Sequence, residues 1–152
     1  MTYKKLEIWK LARELSVDIH QMTLTLPRFE QFEEAQQIRK SSNSVRSAIV
    51  AGYARRRNTG DFMRYIVEAL ASNDETIDHL ETLYETKSLT NDEIYESLQK
   101  RLVRLGKKLA EFLRAIEQSP YMTRENQTAR STILAGSANE ETQPHINAFN
   151  GL

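Results

Sequence analysis

The chain contains no cysteine, so disulfide frameworks, thiolate zinc sites and cysteine nucleophiles are excluded together. Glycine and proline are scarce, at 5 and 3 in 152 residues, which disfavours a many-stranded sheet rich in turns and favours long helices. No apolar run approaches membrane-spanning length. The opening Met1-Thr2-Tyr3-Lys4-Lys5-Leu6-Glu7 passes directly into an amphipathic pattern, without the apolar core of a secretion signal. The expectation is a cytoplasmic protein with no membrane role.

Catalytic motifs are also missing. There is no glycine-rich phosphate loop, nucleophile elbow or zinc motif. Asp74, Asp78 and Glu81 share a helix face by their spacing, but no nucleophile accompanies them, and they read as a solvated or salt-bridged face. Metal-binding bundles use a Glu-x-x-His pair on each of two helices. The three histidines are His20, His79 and His145; Glu75 precedes His79 by four residues and no second copy exists. No catalytic residue, metal ligand, cofactor or enzymatic activity is expected.

What is present is heptad-like periodicity. Ile8, Ala12, Leu15, Ile19, Met22 and Leu26 alternate steps of four and three until Pro27, the spacing that keeps residues on one side of an α-helix. Ala35, Ile38, Ser42, Val45, Ile49 and Gly52 form a second seam. Asn58-Thr59-Gly60 supplies a turn in which Thr59 is the candidate cap. The third seam is Phe62, Ile66, Leu70, Asn73, Ile77, Leu80 and Tyr84, and the fourth is Ile94, Leu98, Leu102, Leu105, Leu109, Phe112 and Ile116. Thr90 and Glu93 stand at capping-box spacing ahead of the fourth. Short connections make sequence neighbours antiparallel, so the predicted fold is all-α, an up-down-up-down four-helix bundle over residues 1–117. Residues 118–152 are polar and aperiodic, and read as a flexible extension or, through Ile133, Leu134, Ile146, Phe149 and Leu152, a segment that docks on a neighbour.

Two local features stand out. Asn73 interrupts an apolar seam; buried without partners it would cost about 1–3 kcal/mol, so it reads as a register-fixing amide, as a partner of Ser42 on the facing helix, or as a ligand contact. Residues 48–54 are apolar or small all round the second helix, and Phe62, Met63, Tyr65, Ile66 and Val67 cannot all face one core. Both call for an interface beyond a single bundle, with Val50, Tyr53, Phe62, Met63 and Val67 as its candidate residues.

The formal net charge is zero, but it is segregated along the chain. Residues 36–64 hold Arg39, Lys40, Arg46, Arg55, Arg56, Arg57 and Arg64 against Asp61 alone; residues 99–114 are again basic, with Lys107 and Lys108; residues 68–96 between them are strongly acidic. Cations at the end of the second helix complement its dipole, yet three consecutive arginines exceed that need. The basic residues named here are candidates for phosphate binding. Pairing with the acidic helix of a neighbouring subunit accounts for the same layout.

Leu6-Glu7-Ile8-Trp9-Lys10-Leu11-Ala12, Leu26-Pro27, Gln37-Ile38-Arg39-Lys40, Ser44-Val45 and Gly52-Tyr53-Ala54-Arg55 occur in this order over residues 3–117. In this the chain resembles the bacterial 23S rRNA intervening-sequence protein, or S23, family. It departs from the family pattern at Arg46, Ala48 and Ala51, where proline, asparagine and glutamate are usual. The resemblance implies a four-helix bundle that forms a homo-oligomer, typically a pentamer, without established catalysis. A related group serves as accessory proteins of diversity-generating retroelements, which implies RNA or DNA and a reverse transcriptase as partners. The alternative is a structural or scaffolding oligomer with no nucleic-acid role.

Overall fold

The computed structural model describes residues 2–119. They form a 3-10 turn (Tyr3–Lys5), α1 (Glu7–Thr23), a second 3-10 turn (Arg28–Phe32), α2 (Glu34–Ala54), α3 (Thr59–Glu85) and α4 (Asp92–Glu117), with no strand among the described residues. Of the extension at 118–152 only Gln118 and Ser119 fall within this range. His145 and the docking candidates Ile133, Leu134, Ile146, Phe149 and Leu152 lie outside the described residues.

Cross-helix pairs establish the up-down-up-down order. Going along α2 away from the acidic turn, Glu34 meets His79 at 2.7 Å, Ser41 meets Thr76 at 2.8 Å, and Gly52 lies against Phe62 and Tyr65. The partner number on α3 falls as the number on α2 rises, so the two helices are antiparallel. Between α3 and α4 the same inverse order runs from Tyr84–Tyr95 through Asn73–Leu102 to Phe62–Phe112. Arg101 on α4 reaches Asp18 on α1 at 2.7 Å.

The predicted seams of α1 and α2 are buried at every position from Ile8 to Leu26 and from Ala35 to Gly52. On α4, Leu98, Leu102, Leu105, Leu109 and Ile116 are buried, with Ile94 and Phe112 packed at the margin. Helix α3 departs from expectation. Its buried face is Ile66, Ala69, Asn73, Thr76, Leu80 and Leu83, while Phe62, Leu70 and Ile77 are only half-buried against the core. A search for large apolar residues misplaces this stripe because α3 turns small and hydroxyl side chains toward α2.

Both predicted caps move by one residue. Asn58, not Thr59, caps α3 by accepting from the Asp61 amide at 3.0 Å. Asn91, not Thr90, accepts from the Ile94 amide at 3.1 Å ahead of α4. In each case the asparagine carbonyl stands three residues before the amide it receives, the geometry of an N-cap. After α3, Lys87 adopts φ 62°, a left-handed conformation that glycine adopts more easily, and the chain turns so that Leu89 is buried.

Candidate nucleic-acid interface

The topology converts charge segregation along the chain into segregation along the bundle. The end of α2, the start of α3 and the end of α4 share one end of the molecule, and this end carries Arg55, Arg56, Arg57 and Arg64. The later part of α3 and the start of α4 meet at the other end, with Glu81, Glu85, Asp92, Glu93 and Glu96. The candidate bases are not all brought together. Arg39 and Lys40 lie in the first turns of α2, about 22–24 Å along its axis from Arg55 at 1.5 Å per residue. Lys107 and Lys108 lie about 6–8 Å along the axis from Phe112, which packs on Phe62 at the basic end; Lys107 is exposed and Lys108 stands 3.8 Å from Glu111.

Arg39 has an architectural task. Its Nη1 donates to Thr23 Oγ1 at 2.9 Å and to Gln31 Oε1 at 3.2 Å, and its Nη2 donates to the Gln31 carbonyl at 3.3 Å. Gln31 in turn donates to the Thr23 carbonyl at 2.6 Å. The arginine thereby clasps the connection between α1 and α2. Arg46, where the family pattern has proline, is 5.5 Å from the ring centre of Trp9 and ties α2 to α1.

At the basic end the arginines are organised by the backbone and by tyrosine rings. Arg55 Nη1 donates to the Ala51 carbonyl and Arg56 Nη1 to the Tyr53 carbonyl, both at 3.0 Å, and the latter also accepts from the Arg56 amide at 3.2 Å. Arg56 lies 4.2 Å from the Tyr53 ring centre; Arg55 and Arg64 lie 4.9 and 5.0 Å from that of Tyr65. Arg64 also approaches Asp61 at 3.7 Å. Arg57 is exposed. A guanidinium has five N–H donors, so one bond to a carbonyl leaves most of its donors for a phosphate. Tyr65 was legible in sequence only as a surplus apolar residue. The signal for its role is the Arg64-Tyr65 pair together with Tyr53 three residues before Arg56.

The proposed contact residues for a neighbour divide similarly. Val67 is 50% exposed. Val50, Tyr53 and Met63 are half-buried against the core, and Phe62 packs edge-on against Phe112 with ring centres 5.6 Å apart. The all-round apolar stretch therefore leaves Val50, Ala51 and Ala54 partly or fully exposed in the single chain. Among the described residues the most exposed large apolar side chains, Leu24, Phe29 and Phe32, sit instead around the turn between α1 and α2.

Asn73 is fully buried, and its Nδ2 donates to the Leu102 carbonyl at 2.9 Å. Ser42 is not its partner; that hydroxyl donates to the Arg39 carbonyl at 3.1 Å. The amide reaches across to α4 because Gly106 leaves room: a Cβ there would lie 3.2 Å from Nδ2. Asn73 Oδ1 has no hydrogen-bond partner among the described residues. At the acidic end Tyr84 donates to Asp92 at 2.7 Å and stacks on Tyr95 with ring centres 3.9 Å apart. The bond to Asp92 and its negative charge raise the Tyr84 phenol above its ordinary value; burial first, then Glu81 and Glu85, raise Tyr95. Among the described residues no three histidine or carboxylate side chains converge as a metal site, and no helix is long and apolar enough to cross a membrane.

No curated protein matches the chain. A solved structure of a protein of unknown function from the S23 ribosomal protein family of Bacteroides thetaiotaomicron is similar to it with a TM-score of 0.64 and 24% identity, over 70% of this chain and 95% of that one. At that identity the likeness supports the fold. The sequence pattern of the 23S rRNA-intervening sequence protein family matches residues 4–111, and with most of the bundle inside that match the chain belongs to this family.

Proposed function

We propose that the chain is a non-enzymatic accessory protein of the cytoplasm that binds RNA or DNA through the basic end of its bundle and works as a homo-oligomer, a pentamer by the family resemblance, with a reverse transcriptase as a candidate partner. The observation that carries the reading is the gathering of Arg55, Arg56, Arg57 and Arg64 at one end, with donors left over after the backbone bonds of Arg55 and Arg56. Such binding is dominated by counterion release and falls steeply with salt. Replacing Arg55, Arg56 and Arg57 by glutamine weakens retention of structured RNA or duplex DNA and flattens the salt dependence, with the oligomeric mass unchanged. Failure of the wild-type protein to retain either nucleic acid at low salt defeats the reading.

Separation of charge between the two ends also supports a scaffold in which the arginines pair with the acidic end of a neighbouring subunit. In that case the triple replacement lowers the oligomeric mass. Light scattering distinguishes the two outcomes, and Val67→Glu, a charge placed on the exposed apolar site of α3, tests the oligomer itself.

A further inference from the structure

The arginines of the basic end belong to different segments, yet two of them converge on one ring. Arg55 follows α2 and Arg64 lies in the second turn of α3, with their guanidinium carbons 4.9 and 5.0 Å from the centre of Tyr65. Both distances are within the range of cation–π attraction. Gly52 permits the arrangement, since a Cβ at this position would lie 2.9 Å from Tyr65 Cβ. The missing side chain lets the root of Tyr65 rest against α2 three residues before Arg55. Two like charges held near one ring repel each other, and Asp61 at 3.7 Å from Arg64 offsets only part of this. An anion within reach of both guanidiniums would relieve the rest.

The rings around this end are occupied. Tyr65 faces two guanidiniums, Tyr53 has Arg56 over it, Trp9 has Arg46 over it and the edge of Tyr3 against it, and Phe62 contacts Phe112. Proteins that hold single strands offer open aromatic faces on which bases stack. Contacts to a double helix are instead mostly to its phosphates, from charges held in fixed positions.

Resting on the nucleic-acid reading above and deepening it, we propose that Tyr65 is a positioning residue that sets Arg55 and Arg64 as a paired phosphate clamp, and that the ligand of this end is the phosphate backbone of a double helix.

The test measures binding of the full chain to a short DNA duplex, the RNA duplex of the same sequence, and an unstructured single strand of each, at one low salt concentration. Both duplexes bind more tightly than either strand, and their ratio tells which kind of helix is preferred. Tyr65→Leu loses about five- to thirtyfold on the duplexes, the scale of two exposed cation–π contacts, while Tyr65→Phe, which keeps the ring, stays within about twofold. A merely structural role predicts an affinity loss no larger than the loss of folded protein accounts for; the proposal predicts the affinity loss at a temperature where the variant is still fully folded by circular dichroism. Single strands bound as tightly as duplexes, wild-type binding by Tyr65→Leu, or an equal loss in Tyr65→Phe each overturn it. If Tyr65→Leu does not fold, the double variant Arg55→Lys, Arg64→Lys keeps both charges without the planar stack and shows the same loss; undiminished duplex binding by it overturns the proposal. A wild-type protein that retains no nucleic acid removes the underlying reading as well, whereas binding that ignores Tyr65 removes this inference alone.

Discussion

Helix α3 is held by two seams of different material. Toward α2 the contacts are small or hydroxylic: Gly52 against Tyr65, and Ser41 with Thr76 at 2.8 Å. These helices share the most extensive close backbone approach in the bundle. Toward α4 the contacts are leucines and ring pairs, with Asn73 as a single buried amide. The first seam depends on what is absent from a side chain, because close approach is lost when atoms are added. The second depends on bulk and is damaged when atoms are removed.

The sharpest way to break the contrast is truncation on the α4 side. Leu109 is fully buried, and Leu109→Ala costs about 2–5 kcal/mol through lost transfer energy and the cavity left behind, read from denaturant unfolding. On the α2 side the opposite change does the damage: Gly52→Ala forces a Cβ to within 2.9 Å of Tyr65 Cβ and destabilises by about 1–3 kcal/mol. Full stability in that variant would mean that the two helices separate without cost.

Asn73 sharpens the comparison because it places a polar group in the bulky seam. Leucine at this position is close in volume and removes an oxygen with no partner among the described residues. Asn73→Leu loses the 2.9 Å bond to the Leu102 carbonyl, about 0.5–1.5 kcal/mol, and gains apolar burial of the same order, so the net change stays within about 1 kcal/mol in either direction. A much larger loss in thermal unfolding would assign the amide a further bond, for instance to a buried water.

The smallest effect concerns the outer edge of the same seam. Tyr84 and Tyr95 have raised folded-state pKa values, so the stability they contribute is fully present below the ordinary phenol value of about 10 and is lost as pH rises through the folded values. Ultraviolet titration should find these two phenols ionising later in the folded chain than in the unfolded one. Tyr84→Phe removes the bond to Asp92 and makes the alkaline fall in stability shallower.

Legibility in the sequence followed the same division. The seams of α1, α2 and α4 could be read because bulky apolar residues at three-four spacing announce a buried face. The stripe of α3 was offset toward Ala69, Thr76 and Leu83, because small and hydroxyl residues carry little signal in such a pattern. At the candidate site the arginine run was visible, but the diversion of Arg39 into the clasp with Thr23 and Gln31 was not. Nor was the gathering of Arg55 and Arg64 on Tyr65. Both depend on contacts between segments that spacing does not encode.

Sequence alone determined the helix number, the antiparallel order and the segregation of charge, since periodicity, short connections and side-chain ionisation are local properties. Only the tertiary structure decided which bases stand together and which are spent on architecture. It also decided which asparagine carbonyl reaches which amide, and why Gly52 and Gly106 have no side chain. Those outcomes depend on distances of a few ångströms between residues far apart in the chain, which are set by how closely each pair of helices can pack.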